Sequence, residues 1–352
     1  MEHISDKNRN IDYIATCTSS WHFTSVLGFL TGLKAKSDRD LEGIIYICRH
    51  ENGKLMIDEK LLSLPSGLGV HFCYSTDEII CCLDSYKKNK TDFKTLYVIS
   101  PFAAWTKMCL RCKILYRRNI ECIVVDEGIG SYKSFSEILR ELYGCHSHPY
   151  RFSLFVLKYV SSKVIPILTG VKVTKINMLV WNGSCLVPDR KTVENMRNAV
   201  RCFKLEEIQI CESGKYAVLI TDPADENGFS DSESEEVMKC YKQFEKTCSE
   251  RGVRLYVKPH PREGEDIYRT EGFRVIRHRL SIEQMIVSAE RKPEFVCGLN
   301  STGLITVKIL FNIKAVSLNN RLIQNYKIKS HAAMENLNHF SERYGRIVEI
   351  LQ

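Results

Sequence analysis

Strand-length apolar runs alternate with longer amphipathic segments in two separate series along this chain, and no other feature limits its fold as much. The first series holds "IDYIATC" (Ile11–Cys17), "GIIYICRH" (Gly43–His50), "GVHFCYS", "TLYVIS" (Thr95–Ser100) and "IECIVVDEG". Between them lie the helix-patterned "TSVLGFLTGLKAK", "STDEIICCLDSYKK" and "PFAAWTKMCLRCKILYRR". The second series holds "YAVLITDP" (Tyr216–Pro223), "VRLYVKPHP", "FRVIRH", "PEFVCGLN" and "KAVSL", separated by "EEVMKCYKQFEKTCSERG", "SIEQMIVSAE" and "STGLITVKILF". Each series predicts a mostly parallel sheet flanked by helices, because parallel neighbours need a crossover and an amphipathic helix covers the sheet face. A length of 352 residues suits two such domains.

The expected division is an N-terminal domain over 1–205, a C-terminal domain over 206–330, and a helix over 331–352 packing back on the N-terminal domain. A linker is expected within "DRKTVENMRNAVRCFKLEEIQICESGK", which is charged and carries no strand pattern. Two Rossmann-like domains facing a cleft follow, since open α/β sheets bind ligands beyond the carboxyl ends of their strands. From Tyr150 to Val180 the chain is apolar and basic. A helix there carries Phe152, Phe155, Val156 and Tyr159 on one side, with Arg151 and Lys158 near its edges. Such a stripe ordinarily faces a core, and otherwise contacts a membrane surface.

No apolar run approaches the ~20 residues that a membrane span needs, and the polar start "MEHISDKNRNIDYIA" does not read as a secretory leader. A cytoplasmic protein is expected. Fifteen cysteines without regular spacing then read as small buried hydrophobes. Cys109 and Cys112 form a CxxC that lacks the further ligands of a zinc site, so no metal is expected. The net charge of +8 favours an acidic partner. Nucleic acid is not expected, for the basic residues are interleaved with acids and no recognition motif accompanies them.

Three motifs fall at predicted strand ends. In "CIVVDEGIGSY", Asp126 and Glu127 follow an apolar run and Gly128 lets the backbone turn, so a carboxylate is available as a general base, or the acids cap the next helix. In "RLYVKPHPRE", Pro259 and Pro261 restrict the backbone around His260. Its companions Lys258 and Arg262 suit an anion. His148-Pro149 is a second His-Pro with no strand before it. In "FVCGLNSTGLITVKILF", Asn300, Ser301 and Thr302 open a helix, where free amides and hydroxyls suit phosphate or form an ordinary cap.

Together these motifs resemble those of the bacterial sialyltransferases and polysialyltransferases of capsule and lipooligosaccharide assembly. That group shares an acidic-acidic-Gly motif, a His-Pro motif and a downstream Ser/Thr motif on a two-domain GT-B fold. The resemblance implies an inverting, metal-independent transfer from CMP-sialic acid, with no cofactor, to a glycan or glycolipid acceptor of a bacterial surface polysaccharide. It implies that Asp126 is the general base, that His260 assists departure of the CMP phosphate, and that Ser301 and Thr302 bind that phosphate. Gly128 would admit the acceptor.

On charge and position, Lys258, Pro261, Arg262, Asn300 and Thr221 are further donor-side candidates. Glu127, Ser19, Ser20 and His22 are acceptor-side candidates, although "TCTSSWHF" also reads as a polar turn capping a helix. Lipid-linked acceptors would place the enzyme against the cytoplasmic face of the inner membrane. The competing readings are a GT-B transferase using CMP-Kdo or a UDP-sugar, and a non-catalytic subunit of a polysaccharide-assembly complex.

Overall fold

The structure, a computed structural model, describes residues 11–48, 64–87, 95–101, 105–115, 119–134, 137–138, 149–203, 207–211, 213–277 and 280–351. Two compact units divide the chain: residues 1–178 with 189–204, and residues 179–188 with 205–352.

The first unit is built on six parallel strands: β1 (Tyr13–Cys17), β2 (Leu41–Ile47), β3 (Leu68–Cys73), β4 (Leu96–Ser100), β5 (Ile120–Val125) and β6 (Lys172–Ile176). Their order is β3-β2-β1-β4-β5-β6, the order of a Rossmann sheet, with its switch point between β1 and β4. Strands β1, β2, β4 and β5 are mostly apolar and are buried along most of their length, as strands covered on both faces must be. The helices are α1 (Ser20–Lys34), α2 (Thr76–Lys87), α3 (Thr106–Leu115), α4 (Pro149–Thr169) and α5 (Arg190–Val200).

The second unit repeats the plan. Strands β9 (Lys215–Ile220), β10 (Val253–Lys258), β11 (Arg274–Val275), β12 (Phe295–Gly298), β13 (Lys314–Ser317) and β14 (Glu349–Ile350) lie in the order β11-β10-β9-β12-β13-β14, all parallel. Their helices are α6 (Ala224–Asn227), α7 (Asp231–Glu250), α8 (Glu265–Thr270), α9 (Ile282–Ser288), α10 (Thr302–Phe311), α11 (Asn319–Asn325) and α12 (His331–Tyr344). A hairpin of β7 (Leu179–Asn182) and β8 (Cys185–Pro188) turns at Gly183, whose φ is +61°, and belongs to this unit. Each of the two units is therefore Rossmann-like.

Two expectations are corrected. The segment read as a linker contains α5, an amphipathic helix capped by Asp189, whose Val193, Met196, Ala199 and Val200 are buried in the first unit. Charge on its outer face masked an inner stripe of helical period. The closing segment is not one helix: α12 ends at Tyr344, and "VEI" supplies the edge strand β14 beside β13.

The helix α12 packs in the second unit, where Leu337 and Phe340 are buried and the buried Asn319 donates to the Leu337 carbonyl at 2.9 Å. Glu233 joins the start of α12 to that of α7, accepting from the amides of Ser230, Lys329 and Ser330 at 2.6–2.9 Å. Burial alone would raise this carboxyl, but those hydrogen bonds outweigh it and hold the group at about 2.

Of the apolar-basic segment, 149–169 is the helix α4. Val156 and Tyr159 are half-buried, while the side chains of Arg151, Phe152, Phe155 and Lys158 lie outside the described residues. The same helix carries Leu157, Val160, Val164, Ile167 and Leu168, all exposed.

Candidate active site

In the first unit the acid pair leaves β5 as expected, but the two carboxylates differ. Asp126 is 0% exposed. One oxygen accepts from the Gly128 amide at 2.6 Å; the other accepts from the Met178 amide at 2.8 Å and from the Tyr132 hydroxyl. Burial pushes the carboxyl up, and hydrogen bonding from Tyr132, Met178, Gly128 and Trp21 opposes that rise. Gly128 has φ +103°, which only glycine adopts without strain, so its role is to fold the amide back onto Asp126.

Glu127 is half-buried. Its amide donates to Ser131 Oγ at 2.8 Å, and its carboxylate lies against Gly130, where an added Cβ would meet Glu127 Oε1 at 2.1 Å. Glu127 is thus the acid of the pair with access to solvent.

At the end of β1 the capping reading holds. Ser19 is the N-cap of α1 and accepts from the His22 amide at 3.2 Å. The helix begins at Ser20, so Trp21 and His22 lie inside it. His22 is buried, its Nδ1 is 2.6 Å from Thr18 Oγ1, and burial pulls the ring down to about 4. His22 is therefore a neutral packing group at neutral pH, and the acceptor-side expectation for it is corrected; Ser20 remains partly exposed.

In the second unit the motifs converge on the switch point between β9 and β12, because β10, β9 and β12 are neighbours and all end at the same edge. His260 opens a β-turn in which the Glu263 amide donates to the His260 carbonyl at 2.9 Å, with Pro261 at the position its fixed φ favours. Glu263 then reaches back: its Oε2 accepts from the His260 amide at 3.1 Å and from the Thr221 hydroxyl, and its Oε1 accepts from Tyr268 at 2.8 Å. Thr221 Oγ1 also receives the His260 amide, at 3.1 Å. Thr221 is 2% exposed and braces the loop.

The Arg262 amide donates to His260 Nδ1 at 3.3 Å, so in the neutral ring the proton sits on Nε2. Lys258, His260 and Arg262 pass from buried through half-buried to exposed, and Pro261 is exposed. Lys258 is 8% exposed and has no ion pair among the described residues. Burial pulls its ammonium down to about 8, against the charges of Glu283 and Glu265. A buried ammonium without a direct counter-ion favours an anion beside it.

Two glycines bring α10 against β9. A Cβ at Gly298 would meet the Ile220 carbonyl at 2.6 Å, and one at Gly303 would meet Ile220 Cδ1 at 2.8 Å and Ile282 Cγ2 at 2.9 Å. This close approach places the α10 N-terminus beside the end of β9. Ser301 caps it, accepting from the Gly303 amide at 3.4 Å. Asp222 hydrogen-bonds with the Ser301 hydroxyl and the Asn300 amide, while its Oδ2 is buried without a partner. Burial, and next the charge of Glu263, push Asp222 up to about 7.

The Asn300 side chain is engaged on both sides, donating to Asn227 Oδ1 at 3.0 Å and accepting from Asn319 at 2.8 Å. It staples the β12 loop to its neighbours. Thr302 is partly exposed at the first turn of α10. Neither strand-end cluster groups three metal-donor side chains among the described residues.

Comparison with protein families matches residues 4–320 to alpha-2,8-polysialyltransferase (POLYST). The chain belongs to this family. It is accordingly a glycosyltransferase and a sialyltransferase, with a nucleotide-sugar donor and a glycan acceptor. No curated protein matches it significantly. Among solved structures it is similar to the Methanocaldococcus jannaschii UDP-GlcNAc 2-epimerase in complex with UDP-GlcNAc and UDP, at 11% identity and a TM-score of 0.41, over 96% of this chain and 93% of that one.

Three functional groups of this polysialyltransferase-family chain escaped sequence reading. Glu263 stands three residues after His260, the spacing of a turn that returns an acid to the first amide. Tyr132 and Met178 hold Asp126 from six and 52 residues away. No local pattern marks that second partner.

Proposed function

We propose that the enzyme transfers sialic acid from CMP-sialic acid, with inversion and without a required metal, to a hydroxyl of a bacterial surface glycan. The observation that carries this reading is the edge of the second sheet, where Glu263 holds the His260 amide and the Arg262 amide holds its Nδ1, in the same strand-end cluster as the Ser301-capped N-terminus of α10.

As the bond from the anomeric carbon to the phosphate oxygen breaks, the leaving CMP gains negative charge. His260 Nε2–H, the Thr302 hydroxyl, the first amides of α10 and the Lys258 ammonium are donors suited to that charge, and donors fixed in advance stabilise the transition state most. Arg262, at the exposed end of the same loop, suits the sialate carboxylate. On the acceptor side, Glu127 takes the proton from the attacking hydroxyl, and Asp126 positions the loop that carries it. Solvent access favours Glu127 over the buried Asp126, because a base must reach the proton it removes.

The exposed stripe of α4 supports peripheral contact with the cytoplasmic face of the inner membrane. Leu157, Val160, Val164, Ile167 and Leu168 recur at spacings that share one helix face, and Leu157, Ile167 and Leu168 are 65%, 79% and 78% exposed. Among the described residues no helix is long and apolar enough to cross a membrane.

The deciding experiment measures release of CMP from CMP-sialic acid with a panel of galactosyl- and sialyl-terminated acceptors, beside CMP-Kdo and UDP-GlcNAc. Acceptor-dependent release from CMP-sialic acid is expected. Turnover of UDP-GlcNAc or CMP-Kdo with none of CMP-sialic acid would overturn the donor assignment.

A further inference from the structure

Strand β3 is the outer strand of the first sheet, and α2 follows it directly. His71 and Cys73 are two residues apart on β3 and therefore share a face. Cys73 is buried in one core cluster with Ile79 and Leu83 of α2, and Cys82 of the same helix packs against that cluster. A ring nitrogen of His71 and the two sulfurs all lie within 4.8 Å of one another, with Cys73 Sγ and Cys82 Sγ 4.0 Å apart. These distances carry a meaning beyond packing. A zinc ion with Zn–S near 2.3 Å and Zn–N near 2.0 Å at tetrahedral angles separates two sulfurs by about 3.8 Å, and a sulfur from a nitrogen by about 3.5 Å.

We propose that His71, Cys73 and Cys82 bind a thiophilic divalent cation, with zinc the fitting ion, and that this ion ties the edge strand of the first sheet to its helix. Two thiol protons leave as the thiolates form, the neutral imidazole supplies the third donor, and water takes the fourth position on the side where His71 and Cys82 are partly exposed. The ion takes no part in transfer. Four strand spacings separate β3 from β5 in the sheet order, about 19 Å at ~4.8 Å each, and the acid pair follows β5. Soft sulfur ligands exclude magnesium and calcium from the same place.

The test uses the full chain, reduced with a phosphine and stripped with a chelator, then titrated with Co²⁺ alone and afterwards with Zn²⁺. One equivalent of Co²⁺ should bind with thiolate-to-cobalt charge-transfer absorption, Zn²⁺ should displace it, and zinc should raise the melting temperature. Cys82→Ser and His71→Ala, at partly exposed positions that tolerate change, should each weaken binding by more than the about 10–100-fold that loss of an outer-shell partner costs. Cys73→Ser is the stricter variant, and its circular dichroism shows whether it folds.

An isotherm shared by wild type and Cys82→Ser would overturn the site, since uptake would then belong to cysteines elsewhere. Absence of the charge-transfer band would do so equally. Loss of two thiols to a Cys73–Cys82 disulfide on peroxide treatment, with no metal uptake by the reduced chain, would make the pair a redox couple and overturn the proposal.

Discussion

Asp126 and Glu127 are neighbours in the chain, yet three donors close around the first while the second keeps access to water. Replacement therefore separates them. Glu127→Gln should lower kcat by about 10²–10⁴, the range for removing a general base, with the melting temperature unchanged. Asp126→Asn turns an amide donor toward groups that already donate and should cost stability, about 1–3 kcal/mol for the group left unsatisfied, read as a lower melting temperature. A stable Asp126→Asn that is inactive beside an active Glu127→Gln would return the base to Asp126, whose raised proton affinity is the feature in its favour.

His260 gives a second comparison. Its Nδ1 already accepts the Arg262 amide, so the chemistry falls to Nε2–H. His260→Ala should lose about 10²–10³ in kcat, the effect of one transition-state donor. His260→Gln, with an amide N–H near the place of Nε2, should recover part of that loss. Equal loss in both variants would mean that the ring surrenders its proton.

At the scale of elements, the Gly298–Gly303 stretch shows how packing makes a site. The helix α10 is apolar nearly all round, so it must be buried, and the two glycines set how near its N-terminus comes to β9. The second element with a consequence is α4. Each Val or Ile buried in a lipid surface contributes about 1.5–3 kcal/mol. Val164→Glu with Ile167→Glu should therefore lower partition onto anionic vesicles by more than about tenfold, measured by co-sedimentation. Transfer to a soluble acceptor should stay unchanged. Equal sedimentation of variant and wild type would remove the membrane role from this face.

At the scale of the whole molecule, the buried Asp222 links folding to pH. Its ordinary value is 3.8 and the folded protein holds it at about 7. A raised carboxyl stabilises fully below the unfolded value and loses that contribution as pH rises through the folded one. Wild type should thus lose stability between about pH 4 and pH 7, by a few kcal/mol at most. Asp222→Asn should flatten that part of the profile, with the difference in melting temperature between pH 5 and pH 8 as the readout. A profile identical to wild type would show that Asp222 ionises normally.

Much of this was legible in the chain. The alternating runs foretold both parallel sheets, because a strand buried on both faces must be apolar throughout and a covering helix must be apolar on one side. The strand-end motifs were legible too, since a switch from apolar to polar residues after such a run marks where the strand stops. The helix α5 was not, because charge hid its inner stripe. Neither were the differing roles of Thr221, Asn300 and His22, since a polar residue at a strand end reads the same whether it meets ligand or braces a loop.

The sequence by itself determined the two α/β units, the family motifs and the residues that chemistry needs, all of which depend on local period and residue type. Only the tertiary structure decided which of two adjacent acids is sealed, which nitrogen of His260 is left to donate, and that Glu263 holds its loop. Those outcomes depend on partners from other elements, such as Met178 on Asp126 and Thr221 on Glu263, and a partner brought by packing leaves no trace in the residues beside it.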